Sequence, residues 1–190
     1  AKDNNLTNLE FLSCIPGSIG GAVIMNSGCY DNDISKILHS IKVVNKKDFS
    51  EKEVLKNDIK FLYRGTNLSE EFIIISAKFK GLVSNKTKIE KIQSELIERK
   101  KQSQPSQIKT CGSTFKNIND GKKAWMLIKE SGCENFKEGD AMISQKHCNF
   151  FVNNGKAKSA DIENLIKKVK KAVYIKTGVN LELEVKIIGD

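Results

Sequence analysis

Short apolar runs rich in β-branched residues occur at several places along the chain, which is the pattern of strands. Residues 37–44 and 72–79 are the longer examples. Residues 141–143 and 150–152 indicate two short strands or one interrupted strand. Residues 181–188 alternate between apolar and polar, so their two sets of side chains are expected on opposite faces of a final strand.

Apolar residues at helical spacing predict a helix after residue 87. Thr87 and Glu90 fit a capping box, with Thr87 as the N-cap. The helix should end before Gln104, which precedes a proline. A shorter helix is expected over residues 122–131, followed by Gly132 in a left-handed conformation.

The longest predicted helix begins after Ser159, which is expected to be its N-cap, and ends at Gly178. Strands and helices are grouped along the chain instead of alternating strictly, and this order favours the α+β class. A polar segment near residues 81–87 separates a strand from a helix. We therefore predict two domains, residues 1–84 and residues 85–190.

Residues 14–28 contain four glycines, one proline and no charged side chain. Pro16 and Gly17 indicate a turn, and residues 22–25 fit either a short buried strand or a tight helical turn. Glycines at positions 17, 20 and 21 allow backbone N–H groups to surround a phosphate. The spacing matches neither a P-loop nor a dinucleotide fingerprint, and a glycine-rich turn alone is more often structural.

The composition is that of an ordinary globular protein, with 190 residues, 39% hydrophobic and 29% charged. The formal net charge of +9 leaves open a basic, non-catalytic module that binds nucleic acid or another anion. However, the lysines are spread along the whole chain and no nucleic-acid-binding motif is present. A site for a small phosphorylated ligand would explain the positive charge equally well.

Five cysteines are present, an odd number without a C-x-x-C pair, which argues against a disulfide framework or a zinc ribbon. A reducing cytoplasm is the simplest location. Cys111 with His147 could form the nucleophile and base of a cysteine hydrolase, but no local signature of such enzymes is present. His147 with Cys133 and Cys148 offers too few ligands at irregular spacing for zinc, so no metal site is predicted.

Two charged residues are candidates for a functional role. Arg64 is one of only two arginines, and its planar fork can bind a carboxylate in a way that lysine cannot. Glu184 lies on the polar face of the predicted final strand, where a carboxylate is usually exposed. Neither residue identifies a function by itself.

Six blocks of sequence together resemble one family, the UDP-N-acetylenolpyruvoylglucosamine reductases. Among them are L-E-F-L-S-C-I-P-G-S-I-G-G-A-V-I-M-N-S-G, Y-R-G-T-N-L and C-G-S-T-F-K-N. The blocks follow the order found in the family and span nearly the whole chain. They lie at residues 9–28, 63–68, 111–117, 124–132, 139–147 and 181–189.

The resemblance implies a bilobed FAD-binding region of the vanillyl-alcohol-oxidase type, followed by a substrate-binding domain. Residues 1–84 would be the C-terminal lobe of the FAD region, with the first lobe outside this chain, and residues 85–190 would bind substrate. The subclass would be the one without a tyrosine-bearing lid loop. The implied protein is a cytoplasmic monomer with no nucleic-acid or membrane partner.

The implied reaction is the NADPH-dependent reduction of UDP-N-acetylglucosamine enolpyruvate to UDP-N-acetylmuramate, a step of peptidoglycan synthesis, with FAD as the cofactor. By resemblance, the catalytic residues are Arg64, Ser113 and Glu184, with Ser113 as the proton donor. The flavin contacts are Gly17, Ser18, Ile19, Gly20, Gly21 and Asn26. The contacts to the UDP-sugar are Tyr63, Asn117 and His147.

Overall fold

A computed structural model of the chain describes residues 1–118 and 121–189. These residues form two units, the first from Ala1 to Lys100 and the second from Lys101 onward. Each unit combines antiparallel sheet with helices, so the α+β class is confirmed.

The first unit has nine short strands and three α-helices, the last of which extends three residues beyond Lys100. The strands are β1 (Leu6–Thr7), β2 (Gly28–Cys29), β3 (Asn32–Asp33), β4 (Leu38–Asn45), β5 (Glu51–Leu55), β6 (Phe61–Leu62), β7 (Gly65–Thr66), β8 (Phe72–Phe79) and β9 (Leu82–Val83). The helices are α1 (Ile19–Ile24), α2 (Ile34–Ile37) and α3 (Lys86–Ser103). Three further segments are single 3₁₀ turns: Lys2–Asn4, Glu10–Cys14 and Lys56–Asp58.

The central element of the first unit is β4, which pairs antiparallel with β5 on one side and β8 on the other. The strands predicted at residues 37–44 and 72–79 are thereby confirmed. Leu38, Ile41 and Val43 of β4 are buried in the core. The other buried members of that core are Phe11, Val23, Ile34, Ile37 and Ile59.

Residues 22–25 belong to the C-terminal part of α1 and the residue that follows it, so the helical alternative is the one observed. Ser18 is the N-cap, and its Oγ accepts a hydrogen bond from the N–H of Gly21 at 3.2 Å. The uncharged, glycine-rich stretch therefore includes a short helix whose first turn is closed by its own serine.

The N-cap of α3 lies two residues before the predicted one. The Oδ1 atom of Asn85 accepts from the N–H of Lys88 at 2.8 Å, and the helix starts at Lys86, so the prediction of Thr87 as N-cap is wrong. Asparagine is among the best N-cap residues, and Asn85 stands where its oxygen reaches the third N–H of the helix. The predicted end before Gln104 is confirmed.

The division at Lys100 falls later than the predicted domain boundary between residues 84 and 85. The physical reason is that α3 packs into the first unit: Ile89 is buried, and Leu96 packs against the core of that unit. The functional identity of the two domains stays a prediction.

The second unit is a four-stranded antiparallel sheet with two helices. The strands are β10 (Lys109–Ser113), β11 (Lys137–Glu138), β12 (Ala141–Ser144) and β13 (His147–Asn153), and the helices are α4 (Ala124–Glu130) and α5 (Ser159–Thr177). The order across the sheet is β10-β13-β12-β11. Both helices contribute to one apolar core, in which Phe115, Leu127, Ile143, Leu165 and Val169 are fully buried.

The short helix ends as the sequence predicts. Gly132 has φ 68°, and its N–H bonds to the carbonyl of Lys129 at 3.0 Å, while the N–H of Cys133 bonds to the carbonyl of Ile128 at 3.2 Å. These two bonds are those of a Schellman motif. Gly178 similarly ends α5, with φ 72°.

Ser159 is the first helical residue of α5 and not its cap, so that prediction is wrong. The N-cap is Lys158, whose N–H donates to a carboxylate oxygen of Asp161 at 2.8 Å. The carboxylate three residues into the helix thus satisfies the backbone donor of the N-cap residue itself, as in a capping box.

Replacing Asp161 with alanine is expected to lower the free energy of unfolding by about 0.5–2 kcal/mol, the usual loss for a helix cap. Ser159→Ala, two residues earlier in the same helical turn, should change the free energy of unfolding by less than about 0.5 kcal/mol. Urea unfolding followed by the fluorescence of Trp125, the sole tryptophan, measures both. Equal losses in the two variants would contradict the assignment of the cap.

The final strand predicted at residues 181–188 is not observed. Leu181 is buried and Leu183 forms an isolated bridge with Phe115, but Ile187 and Ile188 are 56% and 92% exposed. The alternation predicts which side chains face the core as far as Val185, which packs against it. The backbone hydrogen bonds of this segment reach Thr114 and Lys116, the two neighbours of Phe115, so the pairing is confined to a few residues.

Candidate functional site

Ser113 is the last residue of β10, directly after a bulge. Thr110 pairs with Val152 and Ser113 pairs with Phe150, so β10 has one more residue than its partner in this interval. Gly112 lies in the interval with φ 85°, a backbone conformation that glycine adopts readily. A bulge re-aims the side chains next to it, and here the residue that follows it is Ser113.

The structure brings Ser113 and Glu184 onto neighbouring backbone segments. The carbonyl of Thr114, the residue after Ser113, accepts a hydrogen bond from the N–H of Glu184 at 2.9 Å. The N–H of Lys116 donates to the carbonyl of Glu182 at 2.8 Å. Two of the three predicted catalytic residues thus belong to one small substructure.

Glu184 differs from its neighbouring acidic residue in its surroundings. It is half-buried, whereas the side chain of Glu182 is 78% exposed and lies 3.6 Å from the ammonium of Lys116. The expectation of an exposed carboxylate therefore describes Glu182 and not Glu184. Partial burial of a carboxylate beside Ser113 distinguishes Glu184 from an ordinary surface charge.

Asn117 and His147 meet the first turn of α4. The Oδ1 atom of Asn117 accepts from the N–H of Ala124 at 3.2 Å. The ring of His147 lies 6.3 Å from the ring of Trp125 and packs edge-on against Phe150 at 4.8 Å. Phe150 is also the strand partner of Ser113, so the predicted substrate contacts of the second unit surround the end of β10.

His147 is held in one tautomer. Its Nδ1 accepts a hydrogen bond from the N–H of Asn149 at 3.2 Å, so the neutral ring carries its proton on Nε2. Burial disfavours the charged ring and places the pKa of His147 below its ordinary value of 6.5. At neutral pH the side chain is therefore an uncharged donor.

The lowered pKa of His147 has a consequence for stability. The unfolded chain binds the imidazole proton more readily than the folded one, so the free energy of unfolding should fall as the pH drops below about 6.5. We expect this decline to be smaller in His147→Gln. Urea unfolding of both proteins between about pH 7.5 and 5.5 measures the difference. Identical pH profiles would contradict the assignment.

In the first unit, Tyr63 and Arg64 form the two-residue turn between β6 and β7. Arg64 has φ 58°, an uncommon conformation for a residue other than glycine and one that often marks functional sites. Its Nη2 donates to the carbonyl of Gly28 at 3.3 Å, and its guanidinium lies 5.0 Å from the ring of Tyr63. The turn therefore presents a cation whose direction is set by the backbone.

Asn26 explains how this turn is held. The buried side chain donates from Nδ2 to the carbonyl of Leu62 at 3.2 Å and accepts at Oδ1 from the N–H of Ser35 at 2.9 Å. Thr66 adds a bond from its hydroxyl to the carbonyl of Ile24 at 3.3 Å. The amide of Asn26 is thus engaged within the protein, and its contact with a flavin stays a prediction.

The first of the residues predicted to contact the flavin is Gly17, whose backbone conformation favours glycine. Gly17 has φ 127°, and a Cβ added there would meet no atom within 4 Å. The first N–H groups of a helix have no acceptor inside the helix, and those of Ile19 and Gly20 open α1. Backbone groups of this kind can contact a phosphate, and the contact of this turn with a flavin stays a prediction.

Sequence reasoning missed Asn149, which is 3% exposed. Its Oδ1 accepts from the N–H of Phe115 at 2.9 Å, and its Nδ2 donates to the carbonyl of Phe115 at 2.8 Å. Its own carbonyl accepts from the N–H of Thr114 at 2.8 Å. The available signal was an amide inside the apolar run at residues 148–152, because a buried polar side chain needs specific partners.

A cavity of about 870 Å³ lies beside β10 in the second unit. Its lining includes Thr110, Cys111 and Thr114, together with the start of α5 and residues 185–189. Within the described lining, Ser113 and Glu184 do not take part, although their neighbours do. The cavity is therefore lined by the neighbours of the two predicted catalytic residues and not by those residues themselves.

Two features are absent from residues 1–118 and 121–189, a membrane-spanning helix and a metal-binding cluster. No helix in these ranges has both the length and the apolar character needed to cross a membrane. In the same ranges, no group of three or more histidine, cysteine, aspartate or glutamate residues is placed to hold a metal ion.

Residues 104–188 match the family model described as UDP-N-acetylenolpyruvoylglucosamine reductase, C-terminal domain. A curated protein of that name from Pelagibacter ubique is 44% identical over 99% of this chain. The chain belongs to the UDP-N-acetylenolpyruvoylglucosamine reductase family. A reductase of the same name from Wolbachia of Drosophila simulans (strain wRi) is 43% identical over the whole chain.

A crystal structure of the reductase from Thermus caldophilus superposes with a TM-score of 0.86 at 32% identity, over 98% of this chain and 66% of that one. The chain spans 63% of the length of the Pelagibacter reductase and 64% of the Wolbachia reductase. Family membership confirms the resemblance that the six sequence blocks indicate.

Proposed function

We propose that this chain takes part in the NADPH-dependent reduction of the enolpyruvyl group of UDP-N-acetylglucosamine enolpyruvate to UDP-N-acetylmuramate, in peptidoglycan synthesis. The names of its relatives support an oxidoreductase of this kind. The observation that carries the proposal is the hydrogen bond between Thr114 and Glu184, which joins the segment of Ser113 to that of Glu184.

The reaction adds a hydride to one carbon of the enolpyruvyl double bond and a proton to the other. When bound and reduced, FAD supplies the hydride to the terminal carbon. Negative charge then develops on the adjacent carbon and its carboxylate. The protein must stabilise this charge and deliver a proton to carbon.

Ser113 donates its hydroxyl proton to that carbon in the proposed mechanism. A serine hydroxyl is a weak acid, but the enolate is a strong base, so transfer requires above all that the serine be held in place. The bulge at Gly112 and the bonded backbone of Thr114 support such a fixed position.

Arg64 and Glu184 are assigned to the developing charge. The guanidinium of Arg64 pairs with the substrate carboxylate through charge-assisted hydrogen bonds. Glu184 is assigned to the enolate, where the negative charge develops. The half-buried position of Glu184 supports this role better than full exposure would.

The remaining predicted residues are assigned to binding. Tyr63, Asn117 and His147 contact the UDP-sugar, with His147 as a neutral donor at Nε2. Residues 17–21 and Asn26 contact FAD. Residues 1–84 are proposed as the C-terminal lobe of the FAD-binding domain and residues 85–190 as the substrate-binding domain.

The test uses the gene product that contains this chain. We expect a yellow protein that oxidises NADPH, followed at 340 nm, when the enolpyruvyl sugar nucleotide is added. A protein that remains colourless with added FAD, or that binds polynucleotide in a salt-dependent manner without any turnover, would contradict the proposal.

A further inference from the structure

Asn149 supplies to the residues after Ser113 the hydrogen bonds that strand pairing would otherwise supply. Strand β10 ends at Ser113, yet the next two residues remain bonded to β13 through this one asparagine. Its side chain bonds to both the N–H and the carbonyl of Phe115, and its carbonyl bonds to the N–H of Thr114. A single residue thus supplies three of the contacts that hold residues 114–115.

We propose that Asn149 is a positioning residue for the reaction, acting through the backbone that carries Ser113 and Glu184. This inference rests on the proposed roles of those two residues. Asn149 bonds to Thr114 and Phe115, and the carbonyl of Thr114 in turn bonds to the N–H of Glu184. The segments that carry the proton donor and the carboxylate are therefore both connected to Asn149 through residues 114 and 115.

The chemistry of the side chain matters because it faces a donor and an acceptor of the same residue. An amide satisfies both. A carboxylate can accept from the N–H of Phe115, but its other oxygen then faces the carbonyl oxygen of Phe115. A side chain that keeps the size of asparagine and loses one bond should therefore shift this segment.

A neighbouring asparagine provides a matched control. Asn153 lies on the same strand and also brackets backbone, donating to the carbonyl of Ala157 and accepting from the N–H groups of Gly155 and Ala157. Its bonds hold the turn before α5 and not the segment of Ser113. Asn153→Asp is thus comparable in chemistry and differs in what it positions.

The test compares Asn149→Asp with Asn153→Asp in the gene product that contains this chain, loaded with FAD. We expect Asn149→Asp to slow oxidation of the reduced flavin by the enolpyruvyl sugar nucleotide about 10–100-fold, because small displacements of a proton donor have effects of that order. Reduction of the flavin by NADPH should be unchanged, and Asn153→Asp should leave both half-reactions unchanged.

A combined variant tests whether Asn149 acts through these two residues. In a Ser113→Ala, Glu184→Gln background, adding Asn149→Asp should slow flavin oxidation by less than about threefold further, because groups acting as a unit are not additive. A full second loss in the combined variant, or an unchanged oxidation rate in Asn149→Asp alone, would overturn the proposal.

Amide hydrogen exchange gives a readout that does not need the flavin. The amides of Lys116 and Glu184, which bond to Glu182 and Thr114, should exchange at least about tenfold faster in Asn149→Asp than in Asn153→Asp. Should Asn149→Asp fail to fold, the smaller Asn149→Ser, which offers a single hydroxyl in place of the amide, replaces it in every comparison. Unchanged exchange at both amides would overturn the proposal.

The proposed function and the positioning role of Asn149 can be contradicted independently of each other. A Ser113→Ala protein with near-normal flavin oxidation would remove the proposed proton donor, and with it the kinetic reason for positioning. A slow Ser113→Ala protein combined with a normal Asn149→Asp protein would leave the proposed function intact and overturn the role of Asn149 alone.

Discussion

Ser113→Ala is expected to slow the oxidation of reduced flavin by the enolpyruvyl sugar nucleotide by about 10²–10⁴-fold, the range that general acid catalysis supplies. The hydroxyl is the group proposed to deliver a proton to carbon. Alanine removes it without disturbing the backbone bonds of Thr114 and Phe115. Reduction of the flavin by NADPH should continue at the normal rate, because that half-reaction precedes the proton transfer.

Stopped-flow absorbance at the flavin band separates the two half-reactions. Cys111→Ala is the control, since Cys111 is exposed, lies two residues away on the same strand and is free. It should retain near-normal rates, and alkylation of its thiol should have little effect. Near-normal oxidation in Ser113→Ala, or loss of activity in Cys111→Ala, would contradict the assignment of chemistry to the serine.

The largest expected effect on stability belongs to Phe115. Its side chain is fully buried, and its ring meets that of Phe151 edge-on with centroids 5.8 Å apart. Truncation of a buried phenylalanine to alanine costs about 3–5 kcal/mol through lost burial and the cavity left behind. Because whole domains are stable by only about 5–15 kcal/mol, Phe115→Ala should bring the second unit close to unfolding.

Urea unfolding followed by the fluorescence of Trp125 reports on the second unit. Phe115→Leu keeps most of the volume and should lose about 1.5 kcal/mol or less. Phe49→Ala is the surface control, because Phe49 is 77% exposed, and it should change the free energy of unfolding by about 0.5 kcal/mol or less. Equal stability of the alanine and leucine variants at position 115 would contradict the packing argument.

Regular elements with strong local patterns could be predicted from the sequence. Strands β4 and β8 and the ends of α3 and α5 match their predicted positions, because apolar spacing and a terminal glycine or proline determine them locally. The starts of α3 and α5 were misassigned, since several residues near each start can cap a helix. Only the three-dimensional arrangement decides which oxygen reaches an N–H.

The final segment shows a different limit. Alternation predicts two faces at residues 181–188, but it does not predict whether another strand is available to pair with them. Leu181 and Leu183 do face the core, while Ile187 and Ile188 are exposed. Alternation also does not predict that Glu184 is half-buried while Glu182, on the same predicted face, is exposed, because the segment of Glu184 bonds to Thr114, distant in the sequence.

The candidate site shows the same division between local and distant information. Ser113, Glu184 and Arg64 were selected by resemblance, and the structure adds the contacts that hold their segments in place. Asn149 and the structural role of Asn26 could not be predicted, because each amide bonds to backbone more than thirty residues away. A buried asparagine in an apolar context was the only hint in the sequence.

The hydrogen bond between Glu184 and Thr114 has a consequence for sequence tolerance. It joins main-chain atoms only, so every residue except proline can occupy position 184 and keep the bond. Saturation mutagenesis at this position would therefore vary the chemistry of the side chain while the backbone stays in place. Proline has no backbone N–H, so it alone would remove the hydrogen bond to the carbonyl of Thr114.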